Sequence, residues 1–501
     1  MNERFEQLLA RCREVADLER AAAVLAWDEQ TYMPPGGARA RADQKATLRR
    51  LAHAALTSPE FGELLQALAE DVESLAPDSD QAALVRLARR HYDRAVKLPP
   101  DLVEALSRAG SEGFTAWLEA RRANDFAVFQ PKLERLVELQ RQKADALGWR
   151  ERRYDALLDL FEPGMRTSMV EQTFSTLRDQ LVPFLQAIRE RVDAVDDSVL
   201  RRHYPAQAQW EFTVDLLRAI GFDFDRGRQD RSEHPFTTSF SVDDVRVTTR
   251  IHENYLAQAV FSTIHEAGHA FYELGLPREH ERTPLCETAS LGLHESQSRL
   301  WENVIGRSRG FWEHFLPRLA ERFPSQLAGV GVDQFYRAVN RVEPSFIRTE
   351  ADEVTYNLHI FLRFELEQAL LDGDLKVADL PGAWNGKMQA YLGVTPPDML
   401  RGVLQDVHWS DDLFGYFPTY SLGTVLAVQF YEKALADHPG LPEEIRQGRF
   451  DTLHRWLTDN VHRHGARYEP AQLIRRVTGT DLDAGPYLRY IRAKYGEIYG
   501  L

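Results

Sequence analysis

Cysteine is scarce in this chain, which has only Cys12 and Cys286 among 501 residues. Two thiols so far apart in the sequence exclude a disulfide framework, and they cannot form a cysteine-type zinc site without other ligands. We expect both to be buried and reduced, as in a protein of a reducing compartment.

Long apolar runs are also missing. No segment reaches the roughly 18 apolar residues that a transmembrane helix needs. The N-terminal residues 1–6 are charged, and no apolar core of a secretory signal follows them. We therefore expect no membrane association and a cytoplasmic location.

The chain also lacks an excess of basic residues. Lys plus Arg is 61 and Asp plus Glu is 76, so the formal net charge is −15. Nucleic-acid-binding proteins usually carry a basic face, so no nucleic acid partner is expected. With 44% hydrophobic and 27% charged residues the composition is that of an ordinary globular protein, large enough for a core with a deep cleft.

Most of the chain shows apolar residues at helical spacing, as in Phe5, Leu8, Leu9, Cys12, Val15 and Leu18. Turn-rich clusters at 34–37, 76–80 and 162–164 interrupt this pattern, and none is typical of a flexible linker. We predict a mainly α fold in which residues 1–501 form one domain. It would consist of two helical lobes whose boundary the sequence does not define.

Residues 236–251 depart from helical spacing. This stretch is rich in Thr, Val and Phe, and Asp243-Asp244 lies in its middle, which predicts a β-hairpin. Alternation along the second arm places one set of polar side chains on a single face: Asp244, Arg246, Thr248 and Arg250.

The segment from His265 to His269 reads HEAGH. On a helix, this spacing places both imidazoles on one face, where they can bind one Zn²⁺. Glu266 can then reach a water on the open side of the metal. The alternative is a pair of surface histidines, but the neighbouring residues are largely apolar and predict a buried helix. Gly268 in mid-helix indicates close packing there.

A catalytic zinc site needs a third protein ligand. We favour Glu295, which follows His269 by 26 residues after turns that allow a second helix to return beside the first. His280 and His294 are alternatives, and His294 can instead orient a ligand by a hydrogen bond. We expect one Zn²⁺ per chain; Co²⁺ can occupy the same geometry.

HEAGH followed by HESQSR resembles the carboxypeptidase Taq family of metallocarboxypeptidases. Further elements of the family occur in consistent order from residue 27 to about residue 423: Trp27-Asp28 with Met33-Pro34 and Gly37, His234-Pro235-Phe236 (HPF), Asp244–Thr248 (DxRxT), Ile347–Asp352 (IRxxAD) and Gly402–Trp409 (GxxQDxHW). The resemblance implies a two-lobed helical fold with zinc at the floor of a deep groove. It also implies a homodimer that releases single residues from peptide C-termini with broad preference and poor tolerance of C-terminal proline.

The chemistry assigns further roles. Glu266 would act as general base and then pass its proton to the leaving amine. The oxyanion needs donors besides the metal, and His408, Tyr416 and Tyr420 are the candidates. Similar zinc peptidases use Tyr or His here, which favours Tyr420 and His408 and leaves Tyr416 as a substrate-binding residue. The alternative for either tyrosine is aromatic packing.

A terminal carboxylate is best recognised by an arginine. We favour Arg348, although an ion pair with Asp352 four residues on would make it structural. Arg246 is the second candidate, and Asp244 on the same strand face can pair with it. His234 is included as a substrate-binding candidate because of the HPF match alone.

Two other functions compete with this prediction. An endo-oligopeptidase or dipeptide-releasing enzyme can use the same zinc architecture and differs in how far the groove extends. A helical scaffold with a structural metal would be marked by loss of Glu266 or of a ligand, and this sequence retains all of them.

Overall fold

Helices supply about 69% of the residues, which confirms the mainly α class. The structure, a computed structural model, describes residues 2–501. Within this range the α-helices are α1 (Asn2–Thr31), α2 (Ala38–Leu56), α3 (Pro59–Val72), α4 (Asp80–Lys97), α5 (Pro100–Ala123), α6 (Gln130–Leu147), α7 (Arg153–Leu158), α8 (Thr167–Arg189), α9 (Ala206–Ala219), α10 (Leu256–Leu274), α11 (Leu291–Arg299), α12 (Arg309–Arg322), α13 (Val332–Val339), α14 (Tyr356–Asp372), α15 (Leu380–Leu392), α16 (Pro418–Asp437), α17 (Leu441–Arg446), α18 (Asp451–Asn460), α19 (Pro470–Thr478) and α20 (Ala484–Tyr499). Among residues 2–501, no helix combines the length and the apolar character needed to cross a membrane.

The chain divides into two units, each built from three separate stretches. The first unit contains the chain up to Val96 together with Asp196–Val339 and Ala427–Leu482. The second contains Lys97–Val195, Asn340–Leu426 and Asp483–Leu501. Neither unit is continuous in sequence, which explains why composition alone defines no boundary. That the whole chain acts as one domain stays a prediction.

A three-stranded sheet belongs to the first unit. Its strands are β1 (Gly227–Arg231), β2 (Thr237–Ser241) and β3 (Asp244–Thr249), in the order β1-β3-β2. The antiparallel pair β2–β3 is the predicted hairpin, with Thr237 opposite Val247 and an irregularity between Ser239 and Ser241. The parallel strand β1 was not predicted, because its sequence GRQDR lacks the apolar alternation that marks a strand.

The predicted apolar face of α1 is partly buried in the first unit, with Leu9, Val15 and Leu18 half-buried. Phe5, Leu8 and Cys12 pack in one cluster with residues of α3 and α4. Helix α3 begins after Ser58, whose hydroxyl accepts a hydrogen bond from Phe61 N. Cys12 and Cys286 are both buried and free, as expected.

Helix α14 is the most buried helix of the second unit. Its own apolar side chains occur on all sides of the helix rather than in one stripe, which is typical of a helix enclosed by others. It contacts α6, α7, α8 and α15. Phe361 on α14 lies 4.6 Å from Phe174 of α8, measured between ring centroids.

Helices α10 and α11 approach each other unusually closely in the first unit. A Cβ atom on Gly268 of α10 would lie 2.5 Å from the carbonyl oxygen of Gln297 and 2.6 Å from Cα of Ser298, both on α11. Both are backbone atoms, so no side chain can rotate away to make room. The close packing expected from Gly268 is therefore present.

We expect Gly268→Ala to destabilise the protein. The helix propensity of alanine would add about 1 kcal/mol of stability, but separating two packed backbones costs more, typically about 1–3 kcal/mol for overpacking and above that range when backbone must move. Denaturant unfolding should show a net decrease in the free energy of unfolding.

Gly386→Ala is the matched control. Gly386 lies inside α15, and a Cβ there would meet nothing within 4 Å. This variant should gain about 0.5–1 kcal/mol. If both variants changed the free energy of unfolding equally and in the same direction, close packing at Gly268 would be contradicted.

Candidate metal centre and active site

His265 and His269 lie one turn apart on α10 and face α11. Their Nε2 atoms are 3.8 Å and 3.3 Å from Oε2 of Glu295, which α11 carries. The ligand atoms of the three residues all lie within 4.8 Å of one another. The three residues predicted as metal ligands are thus brought together at one point.

The start of α11 is anchored before Glu295. Ser290 caps the helix by accepting a hydrogen bond from Leu293 N. Gln297 on the same helix accepts a hydrogen bond from His462 Nε2 at 2.9 Å. Together with the close approach at Gly268, these contacts hold Glu295 against the histidine face of α10.

A second carboxylate supports His265 from behind. A π-helix, Leu300–Ile305, continues α11 and places Glu302 Oε2 2.9 Å from Nδ1 of His265. Arg299 lies between the two carboxylates and donates to Glu295 Oε1 at 2.6 Å and to Glu302 Oε2 at 3.2 Å. Nδ1 of His265 therefore donates to Glu302, and Nε2 faces Glu295 in the ligand cluster.

His269 has a different support, a chain of hydrogen bonds through a third histidine. Its Nδ1 contacts Nδ1 of His294, whose Nε2 lies 2.9 Å from Glu273 Oε1. If Nδ1 of His269 donates, His294 accepts there and donates to Glu273. This arrangement leaves Nε2 of His269 available for a metal ion and makes His294 an orienting residue. The other alternative ligand, His280, lies beside Asp80, with 3.3 Å between Nε2 and Oδ2.

The charges around the cluster favour ionised carboxylates, but they affect the two imidazoles differently. Burial acts to lower the pKa of His265, but Glu295 and Glu302 outweigh it and raise that pKa. Burial alone would raise the pKa of Glu295, but Arg299 and His265 hold it well below its ordinary value. Burial is likewise outweighed at Glu302, where His265 and Arg299 lower the pKa to about 2. Burial lowers the pKa of His269 to about 3, and the neighbouring His294 acts in the same direction. Glu295, Glu302 and His269 are therefore in the protonation states that a metal ion requires, and metal binding would displace the proton that Glu295 and Glu302 favour on His265.

Glu266 contacts the sheet. Its side chain is only 6% exposed, and Thr237 of β2 donates to its Oε2 at 2.7 Å. Burial raises the pKa of Glu266, although His265 and the Thr237 hydroxyl act in the lowering direction. A carboxylate in such surroundings has an increased tendency to take up a proton.

The residues fit a divalent metal ion. Two imidazole nitrogens and one carboxylate oxygen form a donor set typical of catalytic zinc sites. Each ligand also has a hydrogen-bonding partner behind it, as such sites require. A metal ion would be held by His265, His269 and Glu295.

His408, Tyr416 and Tyr420, which were predicted to contact the substrate, form a cluster of their own in the second unit. His408 lies on a 3-10 turn (His408–Asp411), and its Nε2 is 3.1 Å from the hydroxyl oxygen of Tyr420. The Tyr416 ring is 5.7 Å from the His408 ring, measured between centroids. Burial lowers the pKa of His408 to about 3, and Arg348 contributes to this shift. His408 is therefore a neutral hydrogen-bonding group rather than a cation.

Arg348 belongs to the same cluster and is 6% exposed. Its Nε donates to Asp406 Oδ1 at 3.0 Å and its Nη1 to Tyr356 at 2.9 Å. The alternative pairing with Asp352 does not occur. Asp352 instead accepts hydrogen bonds from the backbone N–H and the hydroxyl of Thr355, just before α14 begins.

Arg246 and His234 lie in the first unit. Asp244 binds Arg246 through two hydrogen bonds of 2.8 Å and 2.9 Å, and the guanidinium stacks on Trp27 at 4.2 Å. The side-chain pairing considered as an alternative for Arg246 is thus present. His234 is exposed, and its carbonyl oxygen accepts from Ser232.

Sequence reasoning missed several residues that the structure places in these clusters. Glu302 was detectable, since Glu295, Arg299 and Glu302 follow the i, i+4, i+7 pattern of one helix face. Glu273, Thr237 and Arg363 carried no such signal. Arg363 of α14 is fully buried and donates to Asp406 Oδ2 at 2.7 Å, a contact between distant parts of the sequence.

Comparison with known proteins identifies the family. The sequence profile of the carboxypeptidase Taq (M32) metallopeptidases matches residues 7–495. The chain is 45% identical to thermostable carboxypeptidase 1 of Thermus thermophilus over 506 aligned positions, which cover 99% of each chain. It is 39% identical to carboxypeptidase 1 of Bacillus subtilis, covering 99% of this chain and 98% of that protein.

Solved structures agree with this result. The M32 carboxypeptidase from Deinococcus radiodurans R1 is 43% identical, covers 100% of both chains and superposes with a TM-score of 0.96. The match of fold, sequence profile and ligand cluster along the whole chain leads to one conclusion. The protein belongs to the carboxypeptidase Taq (M32) family of metallopeptidases and is a metallocarboxypeptidase.

Proposed function

We propose that this enzyme is a zinc-dependent carboxypeptidase that removes single residues from the C-termini of peptides, with broad preference and with C-terminal proline disfavoured. The observation that carries the proposal is the convergence of His265 Nε2, His269 Nε2 and Glu295 Oε2. A catalytic zinc site has three protein ligands of this kind and keeps one position for water.

Zinc is the proposed ion, one per chain, because two imidazoles and a carboxylate suit its borderline character. Co²⁺ is accepted by the same geometry, so availability would decide which is bound. When bound, the ion polarises the scissile carbonyl group and acidifies the attacking water.

Glu266 is the proposed general base. Its buried carboxylate lies next to a ligand in sequence, and burial favours proton uptake. In the proposed reaction, it takes a proton from the attacking water and then passes it to the leaving amine. The alternative of a structural metal in a silent scaffold is not supported, because a scaffold has no need for a buried carboxylate beside its ligands.

Substrate recognition is proposed from the family resemblance. His408 and Tyr420, which are hydrogen-bonded to each other, are candidates for stabilising the oxyanion. Arg348 is the preferred residue for the C-terminal carboxylate. Tyr416 is a further substrate-binding candidate.

Arg246 and His234 are the remaining candidates for substrate binding. Arg246 is the second choice for the C-terminal carboxylate; like Arg348, which binds Asp406, it already binds an aspartate, Asp244. We also propose a homodimer in the cytoplasm, with residues 1–501 acting as one catalytic domain.

We expect metal removal to abolish activity. A peptide with a free C-terminus should lose residues one at a time, and 1,10-phenanthroline should stop the release until Zn²⁺ or Co²⁺ is added back. The same peptide with an amidated C-terminus should resist cleavage. Products are identified by mass spectrometry over time. Internal cleavage of the amidated peptide, or release of dipeptides, would favour the oligopeptidase alternative instead.

We expect Glu266→Gln to retain the metal and lose turnover. The amide keeps the shape of the side chain but cannot accept the proton, so kcat should fall by about 10²- to 10⁴-fold. Metal content is measured by elemental analysis alongside the kinetics. Glu279→Gln makes the same chemical change at an exposed position and should leave kcat unchanged. A Glu266→Gln enzyme with near wild-type kcat would exclude Glu266 as the base.

A further inference from the structure

The hydroxyl group of Thr237 makes a specific contact with the carboxylate of Glu266. Oγ1 lies 2.7 Å from Oε2 and 2.9 Å from the carbonyl oxygen of the same residue. Within residues 2–501, no other side chain donates a hydrogen bond to this carboxylate, and Oε1 has no protein partner. The two carboxylate oxygens are therefore in different surroundings.

The backbone of Thr237 is held by the sheet. Thr237 is the first residue of β2 and pairs with Val247 of β3. The residue before it, Phe236, is tied to Thr248 by two hydrogen bonds of 2.9 Å, one to the hydroxyl and one between backbones. The backbone next to Thr237 is thus held by β3, and its hydroxyl is presented to α10 at a defined point.

We propose that Thr237 is a positioning residue that holds Oε2 of Glu266, so that Oε1 exchanges the proton during peptide hydrolysis. The inference rests on the proposed role of Glu266 as general base. An O–H bond of the attacking water breaks and its proton goes to Oε1. The same proton then goes to the nitrogen of the leaving amine as the carbon–nitrogen bond breaks, and Glu266 is an ionised carboxylate again.

The hydrogen bond matters because a glutamate side chain has three rotatable bonds. Without a partner, the carboxylate would spend time in orientations from which Oε1 cannot reach the water. Displacement of a reacting group by about 1 Å can reduce a rate by about 100-fold. The Thr237 hydroxyl, whose single hydrogen is nearer to Oε2 than to the carbonyl oxygen of Glu266, reduces this freedom.

The proposal is tested with two substitutions at position 237 and one control. Thr237→Val keeps the shape but removes the donor, and its kcat should fall about 10- to 100-fold with KM nearly unchanged. Thr237→Ser keeps the donor and should retain most of the wild-type kcat. Thr238→Val makes the same change one residue on, where the side chain faces the other side of β2, and should behave as wild type.

A double variant separates positioning from general structural damage. If Thr237 acts through Glu266, adding Thr237→Val to Glu266→Gln should lower kcat no further, because the carboxylate is already lost. A further loss equal to that of Thr237→Val alone would overturn the proposal. Loss of bound metal in Thr237→Val would also overturn it, since the hydroxyl would then support the ligands.

The kinetics distinguish failure of this proposal from failure of the proposed function. If Glu266→Gln is inactive while Thr237→Val matches Thr238→Val, only the positioning role is wrong. If Glu266→Gln retains near wild-type kcat, both are wrong. If Thr237→Val does not fold, Thr237→Ala replaces it in the comparison with Thr237→Ser, and equal kcat values of these two would overturn the proposal.

Discussion

The close contact between the backbones of α10 and α11 is the constraint on which the metal centre depends. At Gly268 the helices are so near that a single methyl group would collide with the backbone of Gln297 and Ser298. At this separation Glu295 on α11 places Oε2 3.8 Å and 3.3 Å from Nε2 of His265 and His269 on α10. The lower helix propensity of glycine, about 1 kcal/mol relative to alanine, is offset by the packing it allows.

The polar network behind the ligands follows from burial. Removing carboxylates and imidazoles from water is costly unless each finds a partner. Arg299 contacts both Glu295 and Glu302, and His265 completes that group. The contact with Glu302 directs Nδ1 of His265 away from the ligand cluster. These contacts therefore both stabilise the buried charges and prepare the site to bind a metal ion.

The π-helix after α11 extends this arrangement. A π segment inserts an extra residue into a helical turn and often occurs at functional sites. Here it carries Glu302 to the far side of His265, while Glu295 remains on the ligand side. One continuous helical stretch thus supplies both a metal ligand and the group that orients another ligand.

Some features were predictable because they depend on neighbours in the sequence. The spacing of His265 and His269 places them on one helix face whatever surrounds the helix, and the alternation in residues 236–251 is sufficient for a hairpin. Glu295 could be chosen as the third ligand from its chemistry and the turns before it. The parallel strand β1 was not predicted, because it is a strand by virtue of its pairing with β3 and its composition gives no sign of one.

Tertiary structure alone decided which polar groups meet across long separations. Arg348 pairs with Asp406, 58 residues away, instead of with Asp352 four residues on. Thr237 reaches Glu266 from a strand, and His294 connects His269 to Glu273. Sequence determined the residue types and the local geometry of the metal motif. The partners of its buried charges depend on how distant segments pack, because a buried polar group takes whichever partner the fold brings within hydrogen-bonding distance.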